Sequence, residues 1–190
     1  LVPGLLPTDK AYRELLSIAQ HASDLVHPRI AWVWETGSAE GRYYITERFI
    51  AGESLTAYLK RSGPLPWDRI LQILEHIAQA IEFAEEHGWS HGRITPNNIL
   101  LGAEQGAVLT DYGLSQAVRT IMPVEPPQLD QAFYFAPETI KEGFVTPRSD
   151  QYMLACVLVE MATGKPPFPA NDLEGINAVK AAAFDMSALP

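Results

Sequence analysis

The apolar run Met153-Leu154-Ala155-Cys156-Val157-Leu158-Val159, with Met161 just beyond it, constrains this fold more than any other stretch. With Ser149 as cap, the spacing predicts a helix over 149–163 whose apolar side chains point in almost every direction. A helix of that kind belongs in the middle of a core, because no face of it suits water. The run from Tyr152 to Val159 is far too short to cross a bilayer. Residues 67–87 form the clearest amphipathic helix: Ile70, Ile73, Leu74, Ile77, Ile81 and Ala84 make one stripe, and Gly88 suits its stop.

Elements of a different kind precede these. A helix is predicted over 9–22, capped by Thr8 or Asp9, with Tyr12, Leu15, Leu16 and Ala19 at helical spacing. Ile30-Ala31-Trp32-Val33-Trp34 reads as a strand, the stretch 36–41 as a turn, and Arg42 to Ile50 as the returning strand of a hairpin. A short helix over 54–61 follows, capped by Ser54 and ended near Gly63-Pro64. Short strands are predicted at 98–101 and 107–110, a long loop over 114–131 with three prolines, and a final helix near 172–183. Hairpin first and helices afterwards gives an α+β fold in two unequal parts.

Composition removes several functions. The 190 residues are 47% apolar and 19% charged, a globular balance that argues against disorder. With 14 basic against 23 acidic residues the net charge is −9, which repels phosphate backbones and argues against nucleic-acid binding. Trp32 and Trp34 therefore read as hairpin packing rather than a base-stacking platform. Cys156 is the sole cysteine, so there is no intrachain disulfide and no multi-cysteine metal site, and its apolar setting predicts an inert thiol. The start, Leu1 to Pro7, lacks a basic n-region and does not read as a signal peptide.

The chemistry-bearing stretch is His91-Gly92-Arg93-Ile94-Thr95-Pro96-Asn97-Asn98-Ile99-Leu100. Asp111-Tyr112-Gly113, Ala136-Pro137-Glu138, Ser149-Asp150 and Gly164-Lys165-Pro166-Pro167-Phe168 follow at ordered separations. In this order they resemble the catalytic loop, the Asp-Phe-Gly metal motif, the Ala-Pro-Glu motif and the buried large-lobe helix of protein kinases. The resemblance runs from about Ala11 to Phe168 and looks closest to bacterial Ser/Thr kinases.

That resemblance implies a protein-kinase-like fold truncated at both ends. A partial small lobe would occupy 1–46, a hinge 47–53, and a helical large lobe 54–190. Asp111 and Asn98 match the magnesium ligands, and with Thr46, Glu47 and Phe49 near the hinge they would form the nucleotide site. ATP and Mg²⁺ are the implied cofactors. His91, Asp150 and Glu138 match structural positions of the family, the partner Arg of Glu138 being expected beyond Pro190.

Two exchanges change the chemistry. Arg93 stands at the catalytic Asp position, and guanidinium has no acceptor and stays protonated. Thr95 stands where the family places a Lys that contacts the transferring phosphate. Asp130-Gln131-Ala132 occupies the usual Gly-Thr-Pro, and Gly92 replaces the Arg that reads a phosphorylated activation loop, in which Thr120 is the best candidate. Gly4 aligns with the small-lobe Lys; the helix Glu would align with Ile18, or with Glu14 given an insertion. The expectation is a pseudokinase acting as a regulatory or binding module. The alternatives are an active Ser/Thr kinase with an unconventional loop, or a degenerate structural fragment. The expected location is the cytoplasm, with any anchoring left to the parent protein.

Overall fold

A computed structural model describes residues 17–18, 20–39, 42–112, 129–168, 171 and 173–181. In chain order they form β1 (Val33–Ala39), β2 (Arg42–Glu47), β3 (Gly52–Ser54), α1 (Leu55–Ser62), α2 (Trp67–Glu86), β4 (Ile99–Gly102) and β5 (Gly106–Leu109). After these come α3 (Leu129–Ala132), α4 (Pro137–Glu142), α5 (Pro147–Thr163) and α6 (Leu173–Ala181). A 3₁₀ turn, Pro96–Asn98, leads into β4.

α5 takes the central place its composition demands. Met153, Cys156, Val157 and Met161 are buried, and Tyr152, Leu154 and Leu158 pack against the same core. The stripe of α2 faces it: Ile70, Ile73, Ile77, Ala80, Ile81 and Ala84 are all buried. Each fully buried aliphatic side chain contributes roughly 1.5–3 kcal/mol, so this helix pair is a large part of what holds the core together.

The start of α5 differs from the sequence expectation. The cap is Thr146, not Ser149. Thr146 Oγ1 accepts the Ser149 N–H at 3.3 Å, and Ser149 Oγ accepts the Thr146 N–H at 3.2 Å. This reciprocal pair places Pro147 in the first turn, where its missing donor is harmless. At α1 Ser54 is the cap, accepting from the Ala57 N–H at 3.2 Å.

Two antiparallel sheets complete the α+β arrangement, one of β1-β2 and one in the order β3-β4-β5. The predicted strand at 30–34 divides: β1 begins at Val33, while Ile30 makes a parallel bridge to Leu109. The predicted turn over 36–41 is mostly strand, Thr36 to Ala39 pairing with Ile45 to Arg42. Cross-strand pairing outweighs the local turn preference of Gly37 and Ser38. β2 runs through Glu47 and β3 takes Gly52–Ser54, which leaves 48–51 as the link between the two strands. Of the predicted helix 9–22, residues 17–18 and 20–22 are helical and the remainder lies outside the described residues. α3 forms within the predicted loop 114–131, whose residues 114–128 also lie outside them. Among the described residues no helix is long and apolar enough to cross a membrane.

Candidate functional site

Asp150, near the start of α5, holds the loop that begins at His91. Its Oδ2 accepts the His91 N–H at 2.7 Å and its Oδ1 accepts the Gly92 N–H at 2.7 Å. The carboxylate is 1% exposed, so two charge-assisted bonds replace its lost water. The His91 ring is fixed at both nitrogens. Nδ1 accepts the Arg93 N–H at 3.1 Å, which leaves the proton on Nε2, 2.8 Å from the Thr110 carbonyl oxygen. Tyr112 meets that ring edge-on at 4.7 Å and donates its hydroxyl to the Ala80 carbonyl in α2 at 3.3 Å.

Gly92 needs its lack of a side chain. Its φ is +73°, and a Cβ there would lie 2.8 Å from each methyl carbon of Val145. Gly92→Ala is expected to cost about 1–3 kcal/mol in denaturant unfolding. Adding Val145→Ala should recover the steric part alone, leaving the cost of the left-handed backbone.

Asn98 braces the same loop from inside. Its Nδ2 donates to the Arg93 carbonyl at 3.0 Å, and its own carbonyl accepts the Thr110 N–H at 2.9 Å. The residue is 5% exposed, yet its Oδ1 receives no protein hydrogen bond among the described residues. A buried amide oxygen without a donor suits a cation. Thr95 is buried and gives its carbonyl to the Asn98 N–H at 3.0 Å.

Asp111 follows β5 with φ +65°, the single left-handed non-glycine among the described residues. Burial raises its pKa, while the charge of Arg93 and the Thr110 hydroxyl pull it down. Arg93 acts through space: the two make no direct ion pair among the described contacts. Glu47 also meets Asp111, through the backbone N–H of Asp111. Burial and the Asp111 charge push the Glu47 carboxyl up to about 7, and the Asp111 backbone N–H opposes that rise. The end of β2 therefore brings a second carboxyl to Asp111.

The other hinge residues lie elsewhere. Thr46 is exposed, and its Oγ1 donates to the Glu35 carbonyl of β1 at 3.3 Å. Phe49 is 85% exposed. Alternation along β2 explains this: with Thr46 turned out, Glu47 must turn in. Glu138 accepts the Ser149 hydroxyl at 2.7 Å, which ties α4 to α5. Among the described residues no group of three or more His, Cys, Asp or Glu converges. Cys156 is buried and its thiol is pushed up to about 12, which keeps it protonated and unreactive.

The protein kinase domain family matches residues 7–188. This chain belongs to the protein kinase family. It is 32% identical over 180 residues to the serine/threonine-protein kinase PknE of Mycobacterium tuberculosis, covering 94% of this chain and 32% of that protein. It is 34% identical over 159 residues to PrkC of Bacillus subtilis, covering 83% of this chain and 24% of that one. The kinase-like chain thus spans about a quarter to a third of the length of these curated relatives. Its fold matches Rad53 1–466, solved in complex with AMP-PNP, with a TM-score of 0.75 and 22% identity over 92% of this chain and 44% of that one. The bacterial Ser/Thr kinase resemblance and the α+β kinase fold expected from the motifs both hold.

Proposed function

We propose that this kinase-family chain is a regulatory or binding module that holds Mg-ATP and transfers little or no phosphate. One observation carries the reading. Arg93 occupies the catalytic Asp position in a loop whose backbone frame is intact. A kinase base accepts the substrate hydroxyl's proton, and guanidinium has no lone pair to do so.

The residues present fit a magnesium nucleotide. Asn98 offers a buried, donor-free oxygen and Asp111 a carboxylate, and phosphate oxygens and water would complete the hard oxygen shell that Mg²⁺ prefers. The ion, when bound, neutralises phosphate charge. Of the hinge residues Thr46, Glu47 and Phe49, Glu47 alone turns toward Asp111 and would face the nucleotide side. Glu47 would set the position of Asp111 through its backbone amide. Thr95 is neutral and short where a cation would otherwise grip the phosphate. Work in cytoplasmic signalling suits such a module, because ATP is there.

The test is thermal unfolding of the intact protein with millimolar ATP, with and without magnesium. A magnesium-dependent rise in Tm of several degrees that vanishes in Asp111→Ala is expected. No shift would remove nucleotide binding from the reading. A radiolabel assay on a generic Ser/Thr substrate should give no turnover. Turnover that disappears in Asp111→Ala would establish the chain as an active kinase instead.

A further inference from the structure

Phe133, Tyr134 and Phe135, which end the segment before Ala136-Pro137-Glu138, are held at three points. The Lys180 ammonium of α6 donates to the Phe133 carbonyl at 3.0 Å and to the Phe135 carbonyl at 2.5 Å. Between them the Tyr134 hydroxyl donates to the Glu160 carboxylate of α5. One cation therefore grips the backbone on both sides of a side chain that is itself anchored.

The setting of Lys180 is unusual for a lysine. Its ammonium lies 5.1 Å from the Tyr152 ring centroid and 5.0 Å from that of Phe168. Two carbonyls and two π faces are all electron-rich, so among the described residues the charge has partners other than a carboxylate. Burial pulls the ammonium down to about 8, so the fold holds this charge at a cost. A lysine stem could otherwise snorkel to water and avoid that cost. Instead it spends its donors on one short stretch of backbone.

That stretch follows Asp130-Gln131-Ala132, which lacks the hydroxyl of the family's usual Gly-Thr-Pro, and Gly92 cannot read a loop phosphate. The Lys180 contacts hold this region without any of those groups. We propose that Lys180 is a latch: a positioning residue that docks the end of the activation segment onto α5 and α6 without phosphorylation.

The proposal does not depend on nucleotide binding and is tested on phosphatase-treated, nucleotide-free protein by amide hydrogen exchange. Wild-type peptides covering 129–136 should exchange slowly. Lys180→Met keeps the aliphatic packing and removes every donor. It should raise exchange over 129–136 at least tenfold, with α2 unchanged as the internal reference for global stability. Lys180→Arg, which keeps charge and donors, should return most of the protection. Three results would overturn the latch: unchanged exchange in Lys180→Met, an equal rise in α2, or an arginine variant as fast as the methionine one. Fast exchange in the phosphatase-treated wild type would do the same, because the segment would then need phosphate.

Discussion

Asp150→Ala is expected to cost about 3–5 kcal/mol and to lower Tm by about 6–20 °C, measured by denaturant and thermal unfolding. The magnitude follows from what is left behind. Asp150 is 1% exposed and satisfies the backbone N–H groups of His91 and Gly92, each at 2.7 Å. Alanine brings no acceptor, and water reaches so buried a spot only if the loop opens. Asp150→Asn keeps one acceptor oxygen and turns a donor toward the other N–H, so its cost should fall between wild type and alanine. An alanine variant within 1 kcal/mol of wild type would mean that the loop keeps its shape by other contacts.

The second large effect has the opposite sign. Glu47→Gln is expected to gain on wild type by on the order of 3 kcal/mol as pH rises from about 4.5 to above 7, in chelator-treated protein. A carboxyl whose folded pKa stands above its unfolded one binds its proton more tightly in the fold. The stability it contributes is complete below about 4.5, declines through the interval and is lost above about 7. Glutamine mimics the protonated acid at every pH, so the two stability curves should separate across that window. Asp111 titrates alongside, with its pKa raised by burial, so the difference between the two proteins isolates Glu47 better than either curve alone. A difference that does not vary with pH would show that Glu47 is solvated rather than pressed against Asp111.

Much of this fold was legible because its signals are local. The stripe of α2 and the all-round apolar surface of α5 each follow from one periodic segment, and both helices lie within a turn of their predicted bounds. The hydrogen-bonded frame of the loop from His91 was legible for a similar reason, its shape being written in a few adjacent residues. The cap of α5 was misread because Thr146 and Ser149 can both cap, and the reciprocal geometry decides between them. The extent of β1 was misread because Gly37 and Ser38 favour turns until β2 supplies hydrogen-bond partners. The inward face of Glu47 could have been suspected from strand alternation, since a charged side chain ends an apolar run. Its approach to Asp111 joins residues 47 and 111 through two separate sheets, and no local signal carries that. Lys180 is the extreme case: nothing in the sequence of α6 announces that its lysine turns back onto the carbonyls of Phe133 and Phe135.

The contact between Gly92 and Val145 also couples two distant positions of the chain. Here the backbone is left-handed and two methyl carbons of Val145 stand 2.8 Å from where a Cβ would be. A side chain introduced at 92 would meet those methyls and the cost of a left-handed backbone together. Any larger residue at 92 therefore calls for a change at 145 as well. Positions 92 and 145 thus act as one unit of substitution, although they lie far apart in the chain.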